Sequence, residues 1–303
     1  MPSMRSRSIG SLSLPVALAV MVPHVARAQT DAATTVSALR PEPEAVIQLE
    51  RWRTRWTLRA EIGGATRRLL LDTGGGITLV SSATAKAAGC EPWGRRTGYN
   101  MFGKRFEGPA CNGLSVSIAG RRYVPAITGL VNMAALNPAD SALDGIAALD
   151  LFDGRAVTLD LSHGRLIVES PASLRARVGA MRPLPIRLKR EVEGLALAVT
   201  TGIPTSRGWL WMELDSGNGG TVLVSKPVAA LVGLDSSVAA RQPADFAVTN
   251  GVRVHTTDAF TPDLIMDGNL GMPFLRNWVI TLDLQAGTGW IAPAAEMESA
   301  SAR

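Results

Sequence analysis

The chain has few of the residues that carry metal, thiol or nucleotide chemistry. Its 303 residues include two cysteines and three histidines. That count excludes the common structural zinc patterns. His24 falls in the N-terminal leader, His163 in a Ser-His-Gly turn, and His255 in an alternating stretch with no ligand set beside it. No G-x-S-x-G elbow is present, although counting alone does not remove a Ser/His/Asp hydrolase. No phosphate-binding P-loop occurs. Aromatic residues are 5% of the chain, and charged residues 19%. The formal net charge is +5, but Arg5, Arg7 and Arg27 all lie in the leader. The remaining basic residues are scattered, with one cluster at Ile186–Arg190 that reads as a solvated face. The aromatic-plus-basic pattern of a nucleic-acid surface is missing. Neither a cofactor nor a nucleic-acid partner is therefore expected.

Long hydrophobic runs are also scarce. Ser13 to Pro23 is apolar but too short for a stable bilayer span. With Arg5 and Arg7 before it and Ala26-Arg27-Ala28 after it, the stretch reads as the core of a signal peptide over 1–28. An uncleaved anchor is the alternative. Export implies a periplasmic or secreted protein with no stable membrane span after cleavage. It also makes a disulfide between Cys90 and Cys111 chemically available, with two buried thiols as the other reading.

What the chain does have is a repeat. "LLLDTGGGITLVSS" (Leu69 to Ser82) drives an apolar run into an aspartate, a hydroxyl residue and glycines, and "WMELDSGNGGTVLVS" (Trp211 to Ser225) does so again. Ser81 matches Ser225 and Gly89 matches Gly233, suggesting a short helix after each motif, capped by serine and ended by glycine. Further on, Asp144 to Val168 aligns without gaps onto Asp267 to Ile291, with Asp-Gly, an apolar stretch, Thr-Leu-Asp-Leu and a turn in both. Upstream, strand–turn–strand patterns flank Gly63-Gly64 and the Gly202 to Gly208 region. The order hairpin, Asp-hydroxyl-Gly loop, short helix, variable β region, Asp-Gly segment and closing hairpin thus occurs twice. Either aspartate alone reads as an ordinary turn after a strand; the pair with matched surroundings does not.

This pattern resembles the aspartic proteases of the pepsin and retropepsin superfamily, specifically bacterial retropepsin-like proteins with two lobes in one chain. The resemblance spans about Trp56 to Ile291. It rests on Asp72-Thr73-Gly74, Asp215-Ser216-Gly217 and Asn269-Leu270-Gly271. It implies an all-β, bilobal acid-protease-like β-barrel fold with a pseudo-two-fold axis and one short helix per lobe. It further implies an aspartic endopeptidase that needs no metal or cofactor, acts on polypeptide and is a monomer. Asp72 and Asp215 would be catalytic, with Thr73, Gly74, Ser216 and Gly217 supporting their loops. Two close carboxylates share a proton, so one can activate water while the other donates to the carbonyl oxygen. Ala147-Ala148 stands where the second repeat has Leu270-Gly271, and Gly75 and Asn218 follow the triplets. These departures sustain the alternative of a catalytically inactive peptide-binding protein; a purely structural β module is a third reading.

The segment Gly89 to Cys111, rich in glycine, aromatic and basic residues, suggests a mobile flap with Tyr99, Met101 and Phe102 at its tip. An ordinary exposed hairpin is the alternative. The counterpart around Asn250-Gly251 reads as shorter. Trp52, Trp56, Trp209, Trp211, Trp278 and Trp290 are expected in the core. The expected boundaries are a flexible segment over 29–43, lobe one over 44–169, a linker over 170–183, lobe two over 184–293 and a flexible tail over 294–303.

Overall fold

Short runs of alternating or wholly apolar residues, punctuated by glycine turns, dictate strands rather than long helices. The computed structural model describes residues 41–301; the expected leader, and the segment up to residue 40, lie outside them. The described chain is mostly β and bilobal. A ten-stranded sheet path belongs to lobe one, a seven-stranded sheet to lobe two, and a six-stranded sheet draws on both. None of them closes into a barrel, which corrects that part of the expected architecture.

The two lobes build their aspartate loops in the same way. In lobe one, strand Arg55–Ile62 turns at Gly63-Gly64, both in left-handed backbone, into strand Ala65–Leu71. Strand Gly145–Ala147 lies parallel to it, with Ile146 opposite Leu70. In lobe two, Ala198–Thr205 turns into Gly208–Leu214, and Gly268–Leu270 lies parallel to that strand with Asn269 opposite Glu213. The backbone N–H of each aspartate closes the arrangement: Asp72 donates to Ala147 O at 3.0 Å, and Asp215 to Leu270 O at 3.1 Å. Buried Leu69, Leu71, Met212 and Leu214 anchor the two strands in one continuous core.

The shared sheet sets how the lobes face one another. Strand Ala156–Asp160 of lobe one pairs antiparallel with Trp278–Asp283 of lobe two, and Thr158 lies opposite Thr281. Their hydroxyls are 2.8 Å apart and wholly buried. These threonines are equivalent residues of the two repeats, so the pseudo-axis passes between them.

Several local expectations change. Helix Ser82–Ala87 is capped by Ser81, whose hydroxyl accepts from Thr84 N at 3.1 Å. Its counterpart Lys226–Val232 is a 3-10 helix that Ser225 does not cap, because the Ser225 hydroxyl turns to Leu264 O. Lobe one also contains helix Met133–Leu136, so one helix per lobe undercounts. Helix Pro171–Val178 occupies the connector, and Ala294–Ser301 is helical. The lobe-two hairpin is not the shorter of the two. Its strands Gln242–Thr249 and Val252–Phe260 bury alternate residues such as Phe246, Val248 and Val254, which makes it a core element rather than a flap. Trp56 is buried, but Trp209 is 52% exposed, so not every tryptophan is core.

Candidate active site

The apolar strands deliver Asp72 and Asp215 to the junction of the lobes, where four hydrogen bonds lock the loops. The Thr73 hydroxyl donates to Leu214 O at 2.6 Å and accepts from Ser216 N at 3.0 Å. Reciprocally, the Ser216 hydroxyl donates to Leu71 O at 2.8 Å and accepts from Thr73 N at 3.1 Å. Both hydroxyl residues are fully buried, where an unpaired polar group is costly. Thr73 and Ser216 therefore each satisfy the other lobe's backbone.

Glycine follows because there is no room for a side chain. A Cβ at Gly217 would lie 2.5 Å from Asp72 Cγ, and one at Gly74 would lie 2.9 Å from Asp215 Cγ. Each glycine thus carries the opposite lobe's carboxyl on its bare face. At the equivalent of Gly271, Ala148 is accommodated fully buried, and its N–H donates to Thr78 Oγ1 at 3.3 Å. A Cβ at Gly271 would instead press on the carbonyl oxygens of Thr221 and Asn218.

The two carboxyls meet within hydrogen-bonding reach, yet their surroundings differ. Asp215 Oδ1 accepts from Gly217 N at 2.7 Å and Asn218 N at 3.2 Å, and Oδ2 accepts from Asn269 Nδ2 at 2.7 Å. Among the described residues Asp72 accepts from Gly74 N alone, at 3.2 Å. Desolvation, then the charge of Asp215, then its hydrogen bond, push the Asp72 carboxyl well above the usual aspartate range; Glu213 adds to this. A proton on Asp72 is thus held more tightly than on an ordinary aspartate.

Sequence reasoning passed over Glu213, and it quoted Asn269 only as part of the Asn-Leu-Gly element, with no role at the site. Glu213 is 4% exposed, and burial first, then the Asp215 charge, raise its carboxyl to about 8. The signal was available: strand alternation places residues 213 and 215 on one face.

The expected flap is the hairpin of strands Trp93–Tyr99 and Arg105–Cys111. Cys90 and Cys111 are joined by a disulfide at its base. Tyr99 is 59% exposed and Phe102 55% exposed. Met101 faces lobe two, where its carbonyl accepts from Ile265 N at 3.0 Å. Arg96 on the hairpin pairs with Glu193 of lobe two at 3.1 Å. The tip thus reaches across to the opposite lobe.

Fold and site together define a class: a bilobal, pepsin-like all-β architecture with one aspartate loop from each lobe. Two solved structures share it at 10% sequence identity. The basic 7S globulin from soybean matches with a TM-score of 0.55 over 84% of this chain and 95% of that one. Conglutin gamma, a basic 7S globulin from lupine seeds, matches with a TM-score of 0.52 over 82% and 95%. No family model matches the chain, and no curated protein matches it by sequence. The resemblance to bacterial two-lobe retropepsin-like proteases is therefore corrected. These structural matches are plant seed globulins, and the short motifs that carried the resemblance report the shared fold, not that lineage.

Proposed function

We propose that the chain is an aspartic-type endopeptidase whose Asp72/Asp215 pair hydrolyses an extended polypeptide held between the lobes. The observation that carries this reading is the asymmetric pair itself: each aspartate loop's glycine packs on the opposite carboxyl, and Asp215 is surrounded by donors while Asp72 accepts from Gly74 N. In such a pair Asp215 takes a proton from water as the water oxygen attacks the peptide carbonyl carbon. Asp72 gives its proton to the carbonyl oxygen. Collapse of the resulting diol breaks the C–N bond: the leaving nitrogen takes up the proton that Asp215 acquired, and a diol hydroxyl returns a proton to Asp72 as the carboxyl product forms. The flap, with Tyr99, Met101 and Phe102, covers the peptide. Export to the periplasm or exterior, and a monomeric state, belong to the same proposal.

A second reading has its own support. The fold matches are to proteins named as globulins, and the flap tip is tied to lobe two. On that reading the cleft binds peptide without cutting it. The experiment is hydrolysis of an unfolded polypeptide across a broad pH range by wild type, Asp72→Asn and Asp215→Asn. Hydrolysis with a bell-shaped profile, lowered at least about 100-fold by either change, supports the peptidase. The two losses should not add, because the residues act as a unit. Equal, low rates for all three proteins, with peptide still bound, would establish the second reading instead.

A further inference from the structure

The two lobes differ at one internal position that the proposed reaction does not use. In lobe one, the residue two before the aspartate is Leu70, opposite Ile146, and both are buried in an apolar cluster. In lobe two the same two positions hold Glu213, opposite Asn269, and both are buried. A polar, ionisable pair thus replaces an apolar pair where burial makes it expensive. Its geometry is directed at the site. A point one bond out from Gly74 Cα lies 2.9 Å from Asp215 Cγ and 3.0 Å from Glu213 Oε2, so both carboxyls converge on one spot. Asn269 Nδ2 donates to Asp215 Oδ2 at 2.7 Å, and Asn269 lies directly opposite Glu213 in the strand register. Asn218 Nδ2 holds the Asn269 carbonyl at 2.8 Å, which fixes the orientation of its amide.

The other side of Glu213 leads outward. Lys189, on the edge strand Ile186–Lys189, places Nζ 3.8 Å from Glu213 Oε1 and 3.1 Å from Glu191 Oε1. Lys189 is about a third exposed, as is usual for a lysine that spans from packed sheet to solvent. The intervening strand presents Thr200 to Glu213. The charged and titratable groups facing Glu213 are thus Asp215 and Asp72 from the catalytic loops and Lys189 and Glu191 from the sheet edge. One carboxyl stands between the dyad and a cation at the surface.

We propose that Glu213 is a positioning residue that, converging with Asp215 beside Gly74 and lying opposite Asn269, joins the dyad as a third carboxyl and opposes loss of its shared proton. The proposal deepens the peptidase reading and, for its effect on turnover, rests on it. The physics is like-charge coupling. Once Glu213 ionises, its charge opposes ionisation of Asp72, so the last dyad proton leaves later than it would beside a leucine. Lys189 tempers this by stabilising the ionised Glu213.

The test is an infrared titration of the intact protein, which reads protonated buried carboxyls through their C=O stretch, with hydrolysis measured in parallel. Wild type should show one component that deprotonates near pH 8 and a second that Asp72→Asn removes. Glu213→Gln should lack the first and release the second about one pH unit lower. Its alkaline limb of hydrolysis should move by the same amount. Lys189→Met, which leaves all three carboxyls in place, should move the Glu213 component to higher pH. An Asp72 component that titrates identically in wild type and Glu213→Gln would overturn the proposal, whatever the rates. The same shift in a protein that hydrolyses nothing would uphold the coupling and remove the peptidase reading instead.

Discussion

At the scale of single residues, the site is a contest between burial and hydrogen bonding. Asp140 and Asp160 are as deeply buried as Asp215, but despite desolvation Arg55 and Trp52 hold Asp140, and His163 and Arg165 hold Asp160, below the usual aspartate range. Asp72 and Glu213 have no such strong partner and are raised. The sign of the resulting pH dependence is opposite for the two sets. A lowered carboxyl contributes stability above its unfolded-state value, and that contribution is lost as the solution is acidified. A raised one binds its proton more tightly in the folded state, so its contribution is intact below about 4.5 and is lost as pH rises towards 8. Comparing Glu213→Gln with wild type isolates the second effect. The variant should match wild type near pH 5 and become progressively more stable than it by pH 8, by up to roughly 4 kcal/mol. Thermal denaturation at several pH values reads this directly, and a constant difference across the range would contradict it. Glu213 was hard to see in the sequence because a lone carboxylate in an apolar strand has no local mark. Asp72 and Asp215 were legible because each came with a copy of its own surroundings, and Thr73 and Ser216 were legible with them.

At the scale of elements, a hairpin's role follows from what its faces bury. The lobe-two hairpin alternates buried and exposed residues and belongs to the core, whereas strand Trp93–Tyr99 of the flap has no fully buried residue. Length and turn type alone could not separate the two, which is why the sequence misjudged the second. Strand order, the glycine turns and the closing hairpins were legible because alternation and turn chemistry are local. The 3-10 geometry of Lys226–Val232 and the uncapped Ser225 were not, since Leu264, a distant residue, decides where that hydroxyl points. The flap is held at its base by the Cys90–Cys111 bridge, across a sequence separation of 21. At its far end are the Met101–Ile265 hydrogen bond and the exposed Arg96–Glu193 pair, which as a surface ion pair adds little. Reduction of the bridge should cost about 3 kcal/mol by loop entropy. Hydrogen exchange should then rise across residues 93–111 while Leu70 and Leu71 stay protected, because the flap buries so little. Exchange that rises first at the aspartate strands on reduction would place the bridge's effect in the core instead.

At the scale of the molecule, the lobes do not have separate ways of being folded. Each contributes strands to the six-stranded sheet, and the central pairing of Ala156–Asp160 with Trp278–Asp283 joins them across the pseudo-axis. Lobe one alone would expose that edge together with the Thr158 hydroxyl, which is otherwise paired with Thr281. It would also leave the Thr73 hydroxyl and backbone N–H without Leu214 and Ser216. Open strand edges invite association, and unpaired buried polar groups are expensive. The core itself is continuous, since Leu71 and Leu214 belong to one cluster. The expected consequence is a single cooperative unfolding transition, although chains of this size commonly unfold in parts. Calorimetry should give equal calorimetric and van't Hoff enthalpies, and intrinsic fluorescence and circular dichroism should follow the same curve. Chains split between the lobes, at Ser170, should be unstable or aggregated alone and should recover the coincident transition on mixing, since the sheet that fails in each is completed by the other. Two resolved transitions in the intact chain, each reproduced by an isolated half, would mean that the shared sheet is a contact between finished domains. The dyad would then be assembled by docking rather than by folding.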